Sequence, residues 1–281
     1  AAAVAGAATA IGALTTKAIE GYAAQEQLVG GVETLFKTSS DTVVGYANDA
    51  YKTAGMSANE YMETVTSFSA SLLASMNNDT AAAAEKANVA ITDMSDNANK
   101  MGTDISLIQN AYNGFAKQNY TMLDNLKLGY GGTKEEMQRL LDDASKLSGI
   151  KYDISSYSDI VDAIHVVQTE MGITGTTAKE ASTTIEGSVS SMSSAWDNWV
   201  AGMADSEANF SQLTSNLVDS IVTVVGNIAP RVIETVPRLV SGLGEIVEQL
   251  ATYIPQVIQE LLPPLMSGVQ DLLNTLVGML P

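Results

Sequence analysis

The feature that most constrains the fold of this chain is a proline-interrupted apolar pattern over residues 217–281. Pro230-Arg-Val-Ile returns as Pro255-Gln-Val-Ile, and Pro237-Arg-Leu-Val-Ser-Gly returns as Pro263-Pro-Leu-Met-Ser-Gly. The segment therefore nearly repeats itself after about 25 residues, a period in the range of stacked repeat units. One such unit cannot bury its apolar face alone, so it has to stack on copies or on partners. The pattern predicts part of an assembly rather than the wall of an active site.

The spacing within this segment predicts helix. Its apolar residues recur at a mean step of about 3.7 residues, closer to an eleven-residue repeat than to a heptad, which predicts a straight or slightly right-handed bundle. A proline inside a helix costs roughly 3 kcal/mol. We therefore expect Pro230, Pro237, Pro255 and the Pro263-Pro264 pair to mark kinks or the starts of successive short helices, not one unbroken rod.

A membrane span is not the first expectation for the same segment. Eight charged residues interrupt it at regular intervals, and a span needs about 18 residues free of charge and proline. These residues are Asp219, Arg231, Glu234, Arg238, Glu245, Glu248, Glu260 and Asp271. The alternative is an amphipathic segment that enters a bilayer only after its release from an assembly.

Composition limits the classes of partner. Apolar residues make up 46% of the chain but aromatic residues only 6%, which favours long, thinly packed helices that depend on association. The net charge of −18 repels nucleic-acid phosphates and anionic membranes. No basic patch with interleaved aromatic residues is present, so sequence-specific nucleic acid is not an expected partner. The absence of cysteine excludes disulfides and thiolate metal sites.

The whole sequence predicts an all-α fold in four segments. Residues 1–38 form an Ala/Gly-rich helix, residues 39–176 a module of short helices, residues 177–216 a helical connector with Trp196 and Trp199, and residues 217–281 the proline-punctuated repeat. Because the chain starts without Met and stops inside the repeat, we expect it to be a piece of a longer, extended and multimeric protein. Residues 1–16 lack a basic start, so a signal peptide is not expected.

Start and stop signals delimit the short helices. Three stretches have the capping-box pattern, in which a hydroxyl residue precedes a Glu by three positions. They are Ser57-Ala-Asn-Glu60, Thr133-Lys-Glu-Glu136 and Thr177-Ala-Lys-Glu180. Asp79-Thr80 predicts a further start, and Gly55, Gly102, Gly149 and Gly172 predict helix ends. The Ile150–Ser158 stretch is interpreted as a loop or extended connector.

The residues give no catalytic, cofactor-binding or metal site, and we expect no enzymatic activity and no cofactor. His165 is the only histidine and lies on an apolar helical face, which favours a core or interface role. Leu128-Gly-Tyr-Gly-Gly-Thr-Lys134 lacks the order and spacing of a Walker motif, which favours a flexible turn that ends in a capping box.

Two further groups of residues have structural interpretations. The acidic pairs Glu135-Glu136 and Asp142-Asp143 lie beside Lys134, Arg139 and Lys146, which predicts a solvent-exposed face linked by ion pairs. Five methionines fall at positions expected to face the core, where they would fill gaps. They are Met56, Met62, Met76, Met94 and Met101.

Several stretches resemble the tail tape-measure proteins of long-tailed, siphovirus-like phages and prophages of Gram-positive bacteria. They are Gly30-Gly-Val-Glu-Thr-Leu-Phe-Lys37, residues 46–61, Leu123-Asp-Asn-Leu-Lys-Leu-Gly-Tyr-Gly-Gly-Thr-Lys134 and Gly187–Asp205, the last with its Ala-Trp pair and Gly-Met-Ala-Asp end. The proline-punctuated repeat also fits this family, so the resemblance covers most of the chain.

The resemblance implies a virion structural protein. Members of the family form long helical multimers, often trimers, inside the tail tube, where their length sets tail length. The implied partners are other copies of the chain, tail-tube and tail-tip proteins, and tail assembly chaperones. The implied location is the tail interior or tip, and the host cytoplasm during assembly. The short capped helices between about 39 and 176 depart from a simple rod, so we expect a folded module near one end of the tape.

Two other classes remain as alternatives. A membrane-active helical protein would insert residues 217–281 into the host bilayer. A signalling coiled coil of the chemoreceptor kind shares the Ala/Ser/Thr/Glu-rich composition, but it requires sustained heptads that the prolines and the broken middle disfavour.

Overall fold

The computed structural model describes the backbone of residues 2–253 and of Ser267, and the side chains of residues 12–246 and of Ser267. Helix is the only regular secondary structure in these residues, which confirms the predicted all-α class. The chain forms two compact units, Ala1–Val224 and Val225–Pro281. Pro255 and the Pro263-Pro264 pair lie outside the described residues, so the predictions made for them stay predictions.

The described residues contain ten α-helices and two short 3-10 helices. The α-helices are α1 (Ala2–Phe36), α2 (Ser40–Thr53), α3 (Ala58–Ser75), α4 (Thr80–Met101), α5 (Ile105–Phe115), α6 (Lys134–Ser148), α7 (Tyr157–Glu170), α8 (Thr176–Thr183), α9 (Ile185–Gly202) and α10 (Phe210–Tyr253). The 3-10 helices are Lys37–Ser39 and Leu123–Leu126.

Helix α4 is the centre of the first unit. It contacts α1, α2, α3, α5, α7 and α8. Four of its alanines are fully buried, namely Ala83, Ala84, Ala87 and Ala90. Small residues at these positions let the larger side chains of the surrounding helices interdigitate with α4. Those side chains include Phe68, Tyr112 and Ile164, and burying a large apolar side chain stabilises the fold by roughly 1.5–3 kcal/mol.

The predicted methionines line this core. Met56, Met62 and Met94 are buried, and Met76 and Met101 are partly buried and pack against the same cluster. Their flexible thioether side chains fill the irregular gaps between an alanine-rich helix and its neighbours. Their predicted position is therefore confirmed.

Several local start and stop signals are confirmed. Ser57 and Glu60 form a complete capping box, because the Ser57 amide donates to Glu60 Oε2 at 2.8 Å and the Glu60 amide donates to Ser57 Oγ at 3.3 Å. The Asp79 carboxylate accepts from the first amides of α4. Gly102 and Gly149 end α4 and α6 in the left-handed conformation, with φ of 60° and 74°.

The other two glycine signals and the connector also agree with the structure. Gly55 follows the end of α2 with φ of 63°, and Gly172 follows the end of α7 with φ of 65°. The Ile150–Ser158 stretch has no regular structure until α7 begins at Tyr157, which confirms its interpretation as a connector.

The capping-box prediction for Thr177 is wrong. Helix α8 begins one residue earlier, at Thr176, and its N-cap residue is Gly175, which has no side chain to accept a bond. The amides of Gly175 and Thr177 instead donate to the two carboxyl oxygens of Asp96, at 2.6 and 2.7 Å. A buried carboxyl group of α4 has replaced the local cap, because it reaches two amides where a threonine hydroxyl reaches one.

The Thr133 prediction is half correct. Thr133 Oγ1 accepts from the Glu136 amide at 3.2 Å, as a capping residue should. The Glu136 carboxylate does not return to Thr133; it accepts from the Gly131 amide at 2.9 Å. The side chain therefore fastens the preceding glycine turn instead of closing the box.

Of the two alternatives predicted for Pro230 and Pro237, the starts of short helices are wrong, because both prolines lie inside α10. The kinks stay a prediction. Each proline lacks the amide that would bond the residue four positions earlier, and its ring crowds that residue's carbonyl group. The apolar and helix-favouring residues on both sides keep the remaining ladder intact. The prolines therefore lower the stability of α10 without dividing it into separate helices.

Candidate interaction surface

An aromatic cluster joins the end of α9 to the start of α10. The ring centroids of Trp196 and Trp199 lie 5.3 Å apart, and those of Trp199 and Phe210 lie 5.5 Å apart. Trp199 Nε1 donates to Thr214 Oγ1 at 3.1 Å, which satisfies the indole N–H at the edge of the cluster. Trp196 is still 42% exposed, so the cluster presents aromatic area to the outside.

A small buried cluster holds the start of α10 on the first unit. Leu217 packs with Tyr51 of α2 and Ala195 of α9, and the partly buried Met192 and Trp199 complete the cluster. These contacts are few in comparison with the main core. These side chains position the start of α10 together with Leu213, which packs against Gly202 of α9.

The rest of the described α10 exposes large apolar side chains, which we call the α10 surface. In the first unit these are Phe210, Val218, Ile221 and Val222; in the second unit they are Val225, Ile233, Leu239, Val240 and Ile246. Ile233 is 67% exposed. Large apolar side chains exposed in this number on one helix favour contact with protein or membrane. The α10 surface is therefore the candidate functional site.

Length and composition allow a second use of this helix. Among the described residues, Phe210–Ile246 is the one helix long and apolar enough to span a membrane, and only 17% of its most apolar window is buried. The helix also carries charges, including Arg231 and Glu234, which form an ion pair at 3.6 Å along its surface. The same stretch can therefore pack on protein or meet lipid.

The side chain of His165 is hydrogen-bonded to a buried carboxyl group. Its Nδ1 lies 2.9 and 3.0 Å from the two carboxyl oxygens of Asp93, and the Asp93 side chain is 1% exposed. The hydrogen bond to Asp93 raises the pKa of His165, although its partial burial opposes this shift. Burial raises the pKa of Asp93, although the hydrogen bond from His165 opposes that.

A second ion pair lies beside this one, between the same two helices. Lys86 on α4 contacts Asp162 on α7, and the Asp162 charge adds to the upward shift of the His165 pKa. His165 lies between α7 and α4 and is partly exposed, so the interface role predicted for it is confirmed and the core role is not; its partner Asp93 was missed. The sequence does contain a signal for buried polar contacts in this helix. Three polar residues, Asp93, Asp96 and Asn97, occur in an alanine-rich helix at positions that are buried. The pairing ties α4 to α7.

The glycine-rich turn before α6 is held by contacts with that helix. Arg139 Nη2 donates to the Gly129 carbonyl oxygen at 2.7 Å, and its guanidinium lies 4.3 Å from the centre of the Tyr130 ring. A Cβ at Gly132 would lie 2.3 Å from the Thr121 carbonyl oxygen, so only glycine fits there. The turn is therefore linked to α6 by Arg139, and its predicted flexibility stays a prediction.

The charged face of α6 has the predicted ion pairs. Arg139 pairs with Glu136 at 2.5 Å and Lys146 pairs with Asp143 at 2.8 Å, each within one helical turn. One carboxylate of each acidic pair, Glu136 and Asp143, is thus engaged in a local ion pair. In the part of the chain that the structure describes, no group of three or more His, Asp or Glu residues could hold a metal ion.

Comparison with known proteins adds no family assignment. A scan against models of protein families finds no match, and neither a search of curated proteins nor a search of solved structures finds one.

Proposed function

We propose that this chain is a structural module of a phage tail tape-measure protein. In this role it helps to set tail length and to template the tail tube, and it is released when DNA is ejected. The observation that supports the proposal best is the α10 surface, since a helix with exposed large apolar residues needs neighbours to cover them. The resemblance of Gly30–Lys37, residues 123–134 and Gly187–Asp205 to the family adds to it.

A long helix is suited to measuring length. Each residue of an α-helix adds about 1.5 Å, so residue number converts directly to distance. Helix α10 is 44 residues long and keeps its continuity through two prolines. In the proposed assembly, copies of α10 cover each other's apolar residues as a homo-oligomer, by inference a trimer, with tail-tube and tail-tip proteins or assembly chaperones around them.

The acidic charge suits a protein that shares a tube with DNA. A net charge of −18 limits adhesion to phosphate when the genome later passes. The proposed location is the interior of the tail tube or the tail tip in the virion, and the host cytoplasm during assembly.

The first unit has a different proposed role. Its central helix and closed core are unlike a rod, which supports a folded docking module near one end of the tape. We propose that the chain is not an enzyme, since His165 is paired with Asp93 of another helix and Glu136 and Asp143 are paired with cations of their own helix.

Deletion within the gene of a phage that carries this chain tests the ruler role. Removal of residues 225–235, one period of about eleven residues, keeps the apolar face in phase. Electron microscopy should show tails shorter by about 16 Å, from the 1.5 Å rise per residue. An insertion of equal length at the same point is the matched control and should lengthen the tail equally. Unchanged tail length, or failed assembly with both variants, would contradict the ruler role and favour docking alone.

A membrane-active role is the second candidate, favoured by the length and exposure of Phe210–Ile246. Flotation of the full chain with zwitterionic liposomes tests it, because the acidic charge disfavours anionic lipid. Binding that is lost when Val222 and Ile233 are both replaced by Glu would support insertion through the α10 surface. Absence of the chain from the lipid fraction would exclude this role.

A further inference from the structure

A polar cleft of about 620 Å³ opens in the first unit between α3, α5 and the α8–α9 pair, and α4 also lines it. Polar residues of α3 and α5 line two of its sides at helical spacing, so each set occupies one face of its helix. From α3 they are Glu60, Glu63, Thr64 and Ser67, and from α5 they are Ser106, Gln109, Asn110 and Asn113. No residue of the α10 surface is among the described lining residues of the cleft.

Two buried hydroxyl groups in the lining have no hydrogen-bond partner among the described residues. Ser95 of α4 is only 5% exposed and its Oγ is unpaired, as is the buried Oγ1 of Thr177 on α8. A buried polar group left without a partner costs roughly 1–3 kcal/mol. The lining therefore has hydrogen-bonding capacity that the chain itself does not use.

The amide side chains of the cleft are held in place by the facing helix. Gln109 Nε2 donates to Thr64 Oγ1 at 3.0 Å, and Ser67 Oγ donates to Asn113 Oδ1 at 3.1 Å. Each bond uses one end of an amide, and an amide group has both donors and an acceptor. Asn99 and Asn110 add two exposed amides to the lining. This mixture of donors and acceptors matches a peptide backbone, which offers both, better than a polyamine, which offers donors.

The charge of the lining is of one sign. Glu60, Glu63 and Glu186 line the cleft, and no Lys, Arg or His is among its described lining residues. Such a site favours a cationic ligand and disfavours phosphates and carboxylates. The Glu60 carboxylate is used by the cap of α3, so Glu63 and Glu186 are the carboxylates left for a ligand.

We propose that this cleft binds a short extended segment of a partner protein that carries lysine or arginine. The amides and the buried hydroxyls bind the backbone of the segment, and Glu63 and Glu186 bind its basic side chain. The lined face of α3 from Glu60 to Ser67 extends about 10 Å, enough for roughly three residues of an extended chain. The site is separate from the length-setting role and stands without it.

A peptide array probed with the full chain tests the proposal. The peptides are extended pentapeptides with a central Lys or Arg and varied neighbours, and each has a counterpart with a central Glu. We expect binding to the basic peptides only, and titration calorimetry of the best one should show that binding weakens as salt is raised. An array with no preference for Lys or Arg over Glu overturns the proposal.

Two pairs of substitutions locate the binding. Replacing Glu63 and Glu186 together by Gln should weaken the best peptide about tenfold, because both carboxylates contact its cation. Replacing Glu135 and Glu170 by Gln changes the net charge equally at exposed positions outside the cleft and should leave binding unchanged. An equal loss in both pairs would show general attraction to an acidic surface and overturn the site.

Ser95→Ala separates a ligand-binding hydroxyl from a structural one. The variant should bind the peptide several-fold more weakly, while its urea unfolding midpoint is unchanged or higher, because an unpaired buried hydroxyl is removed. Binding equal to the wild type would contradict the role of Ser95. Spermidine serves as a competitor in the same binding assay. If it displaces the peptide at equal concentration, the ligand of the cleft is a small amine and the peptide proposal is overturned.

Discussion

Helices α4 and α10 use their residues in opposite ways. Helix α4 is rich in alanine and carries two buried aspartates, yet its neighbours enclose it. Helix α10 has larger apolar side chains, yet it leaves many of them exposed. Apolar content therefore does not decide burial in this chain. Close approach of neighbouring helices decides it, and small residues permit that approach in α4.

Loss of a core side chain should have the largest effect on the first unit. Phe68 is 2% exposed and packs edge-on against Tyr157, so Phe68→Ala should lower the free energy of unfolding by about 3–5 kcal/mol. The matched substitution on the α10 surface, Ile233→Ala, should change it by less than about 0.5 kcal/mol in the monomer. Urea unfolding measures both. Equal losses would show that the contrast between the core and α10 is wrong.

Removal of a helical proline should strengthen α10. Pro237→Ala restores an amide donor and relieves the crowding of the preceding turn, a gain of up to about 3 kcal/mol for the local helix. Amide hydrogen exchange should slow on both sides of position 237 and stay unchanged in α4. Unchanged exchange beside position 237 would mean that the proline carries no cost here.

The buried cap of α8 should be worth more than an exposed cap. Asp96→Ala removes the acceptor for the Gly175 and Thr177 amides and should cost about 1–3 kcal/mol. Asp104→Ala, at the exposed start of α5, should cost about 1 kcal/mol. Unfolding free energy ranks the two variants, and faster exchange of the Gly175 and Thr177 amides identifies the mechanism. A larger loss from Asp104→Ala would reverse the interpretation.

The smallest effect should come from the titration of His165. Its pKa is raised in the folded protein by Asp93, so its stabilising effect is complete below the unfolded value of about 6.5. That effect is lost as pH rises through the higher folded value. The stability difference between wild type and His165→Gln should shrink as pH rises above about 6.5, and it should not exceed about 1 kcal/mol, because His165 is partly exposed. A difference that grows with pH would contradict the raised pKa.

Local signals in the sequence found the helices well. The capping box at Ser57, the cap at Asp79 and the stops at Gly102 and Gly149 each depend on atoms within a few residues. Such capping bonds form wherever no group from a distant part of the chain competes for the same amides. The failures came where a distant group intervened, as Asp96 did at α8. The sequence alone could not show that Asp93 and His165 meet, because helices α4 and α7 are far apart along the chain.

Spacing and caps act over one or two turns, so the helical class, several helix ends and the apolar character of α10 follow from the sequence alone. The tertiary structure decided which helix is enclosed, which carboxyl group caps α8 and which partner His165 has. It also showed that Pro230 and Pro237 do not interrupt α10. The physical reason is range: a cap or a period is set by neighbours in sequence, whereas burial and buried pairing are set by helices that meet only after folding.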